Sequence, residues 1–211
     1  MPAGSRGGRL RRSLTVLSAA GLVAGTVLLG GAASLRLRAA AWQESNAVRF
    51  EARPAGADPR PGSPAWPSAG ERARPHLGRP MARLRIDRLG LDTVVAEGTD
   101  DRILLRGPGH LRGSGLPGER DNCIIAGHRD GAFARLEGIR EGDLVEVADD
   151  GGPKRYRVVR VEVVDKEDTA VLSPTDRPTL TLITCYPFRY PGPAPRRLVV
   201  RGELMEGLRP S

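Results

Sequence analysis

Two stretches of this sequence end an apolar run on a reactive side chain. "TLITCYPF" puts Cys185 at the close of a segment that reads as a buried strand, and "CIIAGHRDG" puts His128 in the same position. A side chain at a strand exit leaves the core and can face a cleft. By local pattern alone Cys185 is open to four readings: core filler, half of a disulfide, a metal ligand or a nucleophile. Zinc fits poorly, because two cysteines and three scattered histidines show neither C-x-x-C nor H-E-x-x-H spacing. A Cys–His couple is the better chemistry. Imidazole titrates near physiological pH, and imidazolium holds a nearby thiol as the nucleophilic thiolate. Acyl transfer also needs a donor for the oxygen that turns negative on attack. "YPGPAPRRLVV" offers Arg196 and Arg197 at the start of a further strand. Neighbouring strand residues face opposite sides, so only one of the two can enter the cleft. In "RLVVRG" the alternation sets Arg197, Val199 and Arg201 on one face and Leu198 and Val200 on the other, toward the core.

Cys123 opens the apolar run "CIIAG" and reads as a small buried residue. If Cys185 and His128 meet at the ends of neighbouring strands, Cys123 lies five residues back, about 16 Å away in an extended strand, whereas a disulfide needs Cα atoms within about 7 Å. Two free thiols are therefore expected. His76 lies in a Pro- and Gly-rich stretch and reads as exposed. His110, in "RGPGHLRGSGLPG", reads as either structural or substrate-facing.

The elements that must carry these groups are strands. "ARLRID", "LDTVVAEG", "NCIIAG", "DLVEVAD", "RYRVVRVEVV", "TLTLIT" and "RLVVRGEL" have the length and Val/Ile content of a sheet. Turn signals such as "LPGERDN", "DDGGP" and "SPTDRP" separate them. Only residues 132–139 suggest a short helix. Seven or eight strands with few helices predict an all-β domain over residues 81–206, closed as a barrel or sandwich that protects its edges.

Charge separates this domain from what precedes it. The 211-residue chain has a formal net charge of +8. Residues 1–80 carry 12 Arg against 4 acidic residues, while residues 81–206 carry 20 Lys and Arg against 21 Asp and Glu. The domain is thus near neutral, without the basic stripe or stacking aromatics of a nucleic-acid binder. Four arginines in the 1–13 tail precede an uncharged run over residues 14–35, about 33 Å as a helix and long enough for a bilayer. The expectation is a single-pass signal anchor in the cell membrane, with the N-terminus cytoplasmic and the domain extracellular. A cleaved signal peptide is the competing reading. Residues 36–80 read as a Pro/Gly-rich tether and residues 207–211 as a tail.

With "GPGH", "IAGHRD", "TLTLITCYPF" and "APRRLVV" in this order behind an anchor and a tether, the chain resembles the sortases of Gram-positive bacteria, most closely their class D branch. The resemblance implies an eight-stranded closed β-barrel with short helices. It implies His128, Cys185 and Arg197 as catalytic residues, no cofactor and no metal, with His110, Thr184 and Tyr186 as candidates for the substrate groove. The implied activity is that of a cysteine transpeptidase. Such an enzyme cleaves an LPxTG-like sorting signal after Thr through a thioacyl intermediate and passes the protein to an amine of the cell wall or of a pilin subunit. The expected partners are secreted proteins bearing that signal, the amine acceptor and the lipid bilayer. Two rivals stand beside it. An L,D-transpeptidase acting on peptidoglycan would carry "S-x-G-C-x-R", which is absent, and a non-catalytic wall-binding domain would lack part of the triad.

Overall fold

A computed structural model describes residues 6–50 and 75–205, without the side chains of residues 6–21 and 23. Eight strands form a closed barrel: β1 (Pro80–Ile86), β2 (Leu91–Glu97), β3 (Gly109–His110), β4 (Asn122–Gly127), β5 (Leu144–Asp149), β6 (Gly152–Asp165), β7 (Thr179–Tyr186) and β8 (Arg196–Leu204). They close in the order β1-β2-β3-β4-β7-β8-β6-β5, with β4 and β7 parallel and side by side.

Period-two alternation builds the core. Ala82, Leu84 and Ile86 of β1, Cys123 and Ile125 of β4, Val145 and Val147 of β5, Leu180 and Leu182 of β7, and Leu198 and Val200 of β8 all enter one buried cluster. Each set consists of alternate residues, as the pleat requires. The anticipated short helix is a 3-10 helix, Ala132–Gly138, and it sends Phe133 and Leu136 into the same core. Arg88 ties down its far end, donating from Nη2 to the Gly138 carbonyl at 2.6 Å and pairing with the buried carboxylate of Asp143. The guanidinium of Arg88 holds the Asp143 carboxyl below the usual carboxylate range.

The N-terminal expectation requires correction. Residues 14–35 lie within one helix, α1 (Arg6–Ala47). Among the described residues, however, no helix is long and apolar enough to cross a membrane. The helix runs on through Arg36 and Arg38, which close the uncharged run on its C-terminal side. The transmembrane signal anchor and the single-pass membrane location inferred from it are therefore not supported. The helix also continues into residues expected in the tether, since no Gly or Pro occurs between Gly31 and Pro54 to stop it. Residues 51–74 of the tether and the C-terminal tail lie outside the described residues.

Met1–Ala40 and Ala41–Ser211 are separate compact units. Within the second, Gln43 serves the barrel where β3 is too short to cover β2. Its amide donates to the carbonyls of Val94 at 3.0 Å and Arg106 at 2.9 Å, and accepts from the Val94 N–H at 2.6 Å.

Candidate active site

Register decides which side chains meet. Gly127 of β4 pairs with Thr184 of β7, so His128 and Cys185 are the next residues along two adjacent strands. On the other side of β7, Cys185 pairs directly with Arg197 of β8. Directly opposed residues in a ladder share a face and sit about 5 Å apart at Cα. Because Cys123, Ile125, Leu182, Leu198 and Val200 point inward, the alternation turns His128, Cys185 and Arg197 outward together. Cys185 is in the middle. It and Cys123 are both free thiols.

The three groups are half-buried, and among the described residues no hydrogen bond joins their side chains. Arg197 instead donates from Nη1 to the carbonyls of Ala194 at 3.2 Å and Arg196 at 2.9 Å. Its remaining N–H groups stay available to a substrate oxygen. No group of three or more His, Cys, Asp or Glu among the described residues is arranged to hold a metal ion.

Directly beneath, the scaffold is rigid. Thr184 is buried and its hydroxyl donates to the Gly127 carbonyl at 2.8 Å, locking the ends of β4 and β7 together. Gly127 itself is required by a close approach: a Cβ there would meet the ring of Phe133 at 2.7 Å. Asn122, at the other end of β4, donates to the carbonyls of Val171 and Ser173 at 3.1 and 3.0 Å and accepts from Thr181 at 2.6 Å. It thereby pins the long β6–β7 connection.

The residues flanking the central pair face elsewhere. Tyr186 and the exposed Arg196 oppose each other on the other side of the ladder from Cys185, with the Arg196 guanidinium 5.6 Å from the Tyr186 ring centre. Tyr186 meets Phe188 edge to face, and both line a pocket of about 290 Å³ with Leu136, Ile139, Val161 and Leu198. Cys185, His128 and Arg197 are not among the residues that line it. His110 is fully buried, with Nδ1 2.8 Å from Glu97 and Nε2 2.9 Å from the Gly115 carbonyl, which makes it part of the interior. Of the three groove candidates, then, His110 and Thr184 are internal and Tyr186 sits on the face away from the thiol.

One residue went unassigned in the sequence although it adjoins His128 in "AGHRD". Arg129 donates to the carbonyls of Pro187, Tyr190 and Gly192 at 3.1, 2.8 and 2.8 Å. Its sequence signal was adjacency alone.

A barrel of this strand order, carrying a half-buried thiol between an imidazole and a guanidinium on three neighbouring strands, defines a family. The Sortase domain family matches residues 84–205, and the chain belongs to the sortase family. Sortase D of Bacillus subtilis (strain 168) is 34% identical over 131 residues, covering 62% of this chain and 66% of that protein, just under two thirds of its length. Among solved structures, a Clostridium perfringens Sortase D5 transpeptidase superposes with a TM-score of 0.58 at 28% identity over 62% of this chain and 82% of that one. Sortase A from Corynebacterium diphtheriae gives 0.57 at 31% identity over 63% and 64%.

Proposed function

We propose that residues 81–206 are the catalytic domain of a cysteine transpeptidase that acts on LPxTG-like sorting signals, with Cys185 as nucleophile, His128 as acid and base, and Arg197 as carbonyl and oxyanion donor. The observation that carries this reading is the register that aligns the three on one outward face. The Cys185 thiolate adds to the carbonyl carbon of the substrate Thr. The oxygen takes up the negative charge and receives hydrogen bonds from Arg197. As the tetrahedral adduct collapses, His128 gives a proton to the departing amine and a thioester to Cys185 remains. An incoming amine, from the cell wall or a pilin subunit, loses its proton to His128 and attacks the thioester, forming a new amide and releasing the Cys185 thiolate beside the protonated His128.

A library of LPxTG-like peptides incubated with candidate amines, with products identified by mass spectrometry, tests the reading. Transfer products joined at the Thr carbonyl are expected. Neither acylation nor transfer with any member of the library would refute it.

A further inference from the structure

The loop between β7 and β8, residues 187–195, separates the strand of Cys185 from the strand of Arg197. Its sequence "PFRYPGPAP" has prolines at 187, 191, 193 and 195, each lacking a backbone donor. Among the described residues it makes no backbone–backbone hydrogen bond outside the strands. Side chains must therefore hold it. At its far end Arg197 reaches Ala194, and along its length one guanidinium, that of Arg129, gathers the carbonyls of Pro187, Tyr190 and Gly192. The geometry matches the reagent: three carbonyls received by two nitrogens of a planar fork, which a single ammonium cannot span as well.

We propose that Arg129 is a positioning residue for the sorting reaction, clamping the β7–β8 loop so that the wall beside Cys185 and the start of the Arg197 strand are formed before substrate arrives. The clamp and the acid–base group are consecutive residues, so the turn that delivers His128 to the site also delivers the donor that orders the opposite wall. In the absence of the clamp, substrate binding has to order the loop, and apparent affinity falls by the fraction of molecules that hold the competent form. The effect belongs in KM more than in kcat. This rests on the sortase reading for its kinetic arm, while the order of the loop is measurable without any substrate.

The experiment compares Arg129→Ala and Arg129→Lys with the wild type. Tryptic cleavage after Arg189, whose side chain is 90% exposed at the loop tip, is followed by mass spectrometry. The other readouts are iodoacetamide labelling of Cys185, thermal melting, and kcat and KM with a sorting peptide. In Arg129→Ala, cleavage after Arg189 should accelerate about tenfold or more, as a locally opened segment requires. KM should rise about fivefold or more while kcat stays within about threefold. Labelling of Cys185 should stay within about twofold, and the melting temperature within about 3 °C, because the clamp lies outside the core. Arg129→Lys should recover less than about half of the KM effect. Wild-type cleavage and wild-type KM in Arg129→Ala would overturn the proposal. So would a general loss of stability with an unchanged KM, since that marks a purely structural residue. If the wild type turns over no sorting peptide, the functional reading fails and cleavage after Arg189 alone decides the clamp.

Discussion

The two ends of the β4–β7 ladder are built from the same strands to opposite purposes. At one end Asn122 and Thr181 are buried and satisfied by each other and by the β6–β7 connection, and Cys123 is 1% exposed, with burial pushing its thiol above the ordinary range. At the other end His128 and Cys185 emerge half-buried, with no side-chain hydrogen bond among the described residues. The difference teaches how one parallel pair can hold one sulfur in the core and set another at a half-buried strand exit. Five positions along the strand, an odd step, carry the chain from the inward face of Cys123 to the outward face of His128. The fully satisfied end supplies the rigidity that the open end uses.

The comparison can be broken most severely at the open end. On the proposed function, Arg197→Ala and Arg197→Lys should lose a hundredfold or more in acylation rate, about 3 kcal/mol of transition-state stabilisation, with near-normal melting because the side chain is outside the core. Steady acylation in both variants would remove Arg197 from the site. At the satisfied end the effect should fall on stability instead. Asn122→Ala strands two carbonyls and the Thr181 hydroxyl, at a cost of about 2–4 kcal/mol, seen as a melting temperature lower by roughly 10 °C. A melting curve unchanged from the wild type would show that water replaces the amide.

Smaller effects sharpen the contrast. Asp143 supports the short helix that follows His128, and its carboxyl is held low chiefly by the hydrogen bond from Arg88. A lowered folded-state value means that its stabilisation is present above the ordinary carboxylate value of about 3.9 and is lost as pH falls below it. Melting of the wild type and Asp143→Asn between pH 3 and 7 should therefore show the wild type more stable near neutrality, with the curves converging below about pH 4. A constant gap across that range would contradict the assignment. The smallest effect belongs to Arg196, exposed and stacked on Tyr186 away from the thiol. Arg196→Ala should cost at most about 1 kcal/mol of stability and leave acylation within about twofold. Severe loss there, with full activity in Arg197→Ala, would mean that the strand register is wrong.

Much of this was legible in the sequence because a strand repeats every two residues. "RLVVRG" already assigns Leu198 and Val200 to the core and Arg197 to the other face, and the register bears this out. The same alternation explains why proximity in sequence misleads. Thr184 and Tyr186 flank Cys185 in the chain, yet as its immediate strand neighbours they point the other way. His110 was illegible for a different reason. Its partner Glu97 lies thirteen residues earlier and meets it only through the two-residue parallel pairing of β2 with β3. The Arg129 clamp depends on where a proline-rich loop folds back, which no local pattern encodes. At the N-terminus, a hydrophobic run was visible but the continuation of the helix through Arg36 and Arg38 was not.

The central claim is that the thiol at the open end, and not its buried counterpart, carries the acyl group. Incubation with a sorting peptide in the absence of amine, followed by intact mass and peptide mapping, measures this directly. The account predicts one thioacyl adduct, mapped to Cys185, lost in Cys185→Ala and kept in Cys123→Ala. An adduct of the same mass that persists in Cys185→Ala, or that maps to Cys123, would contradict it.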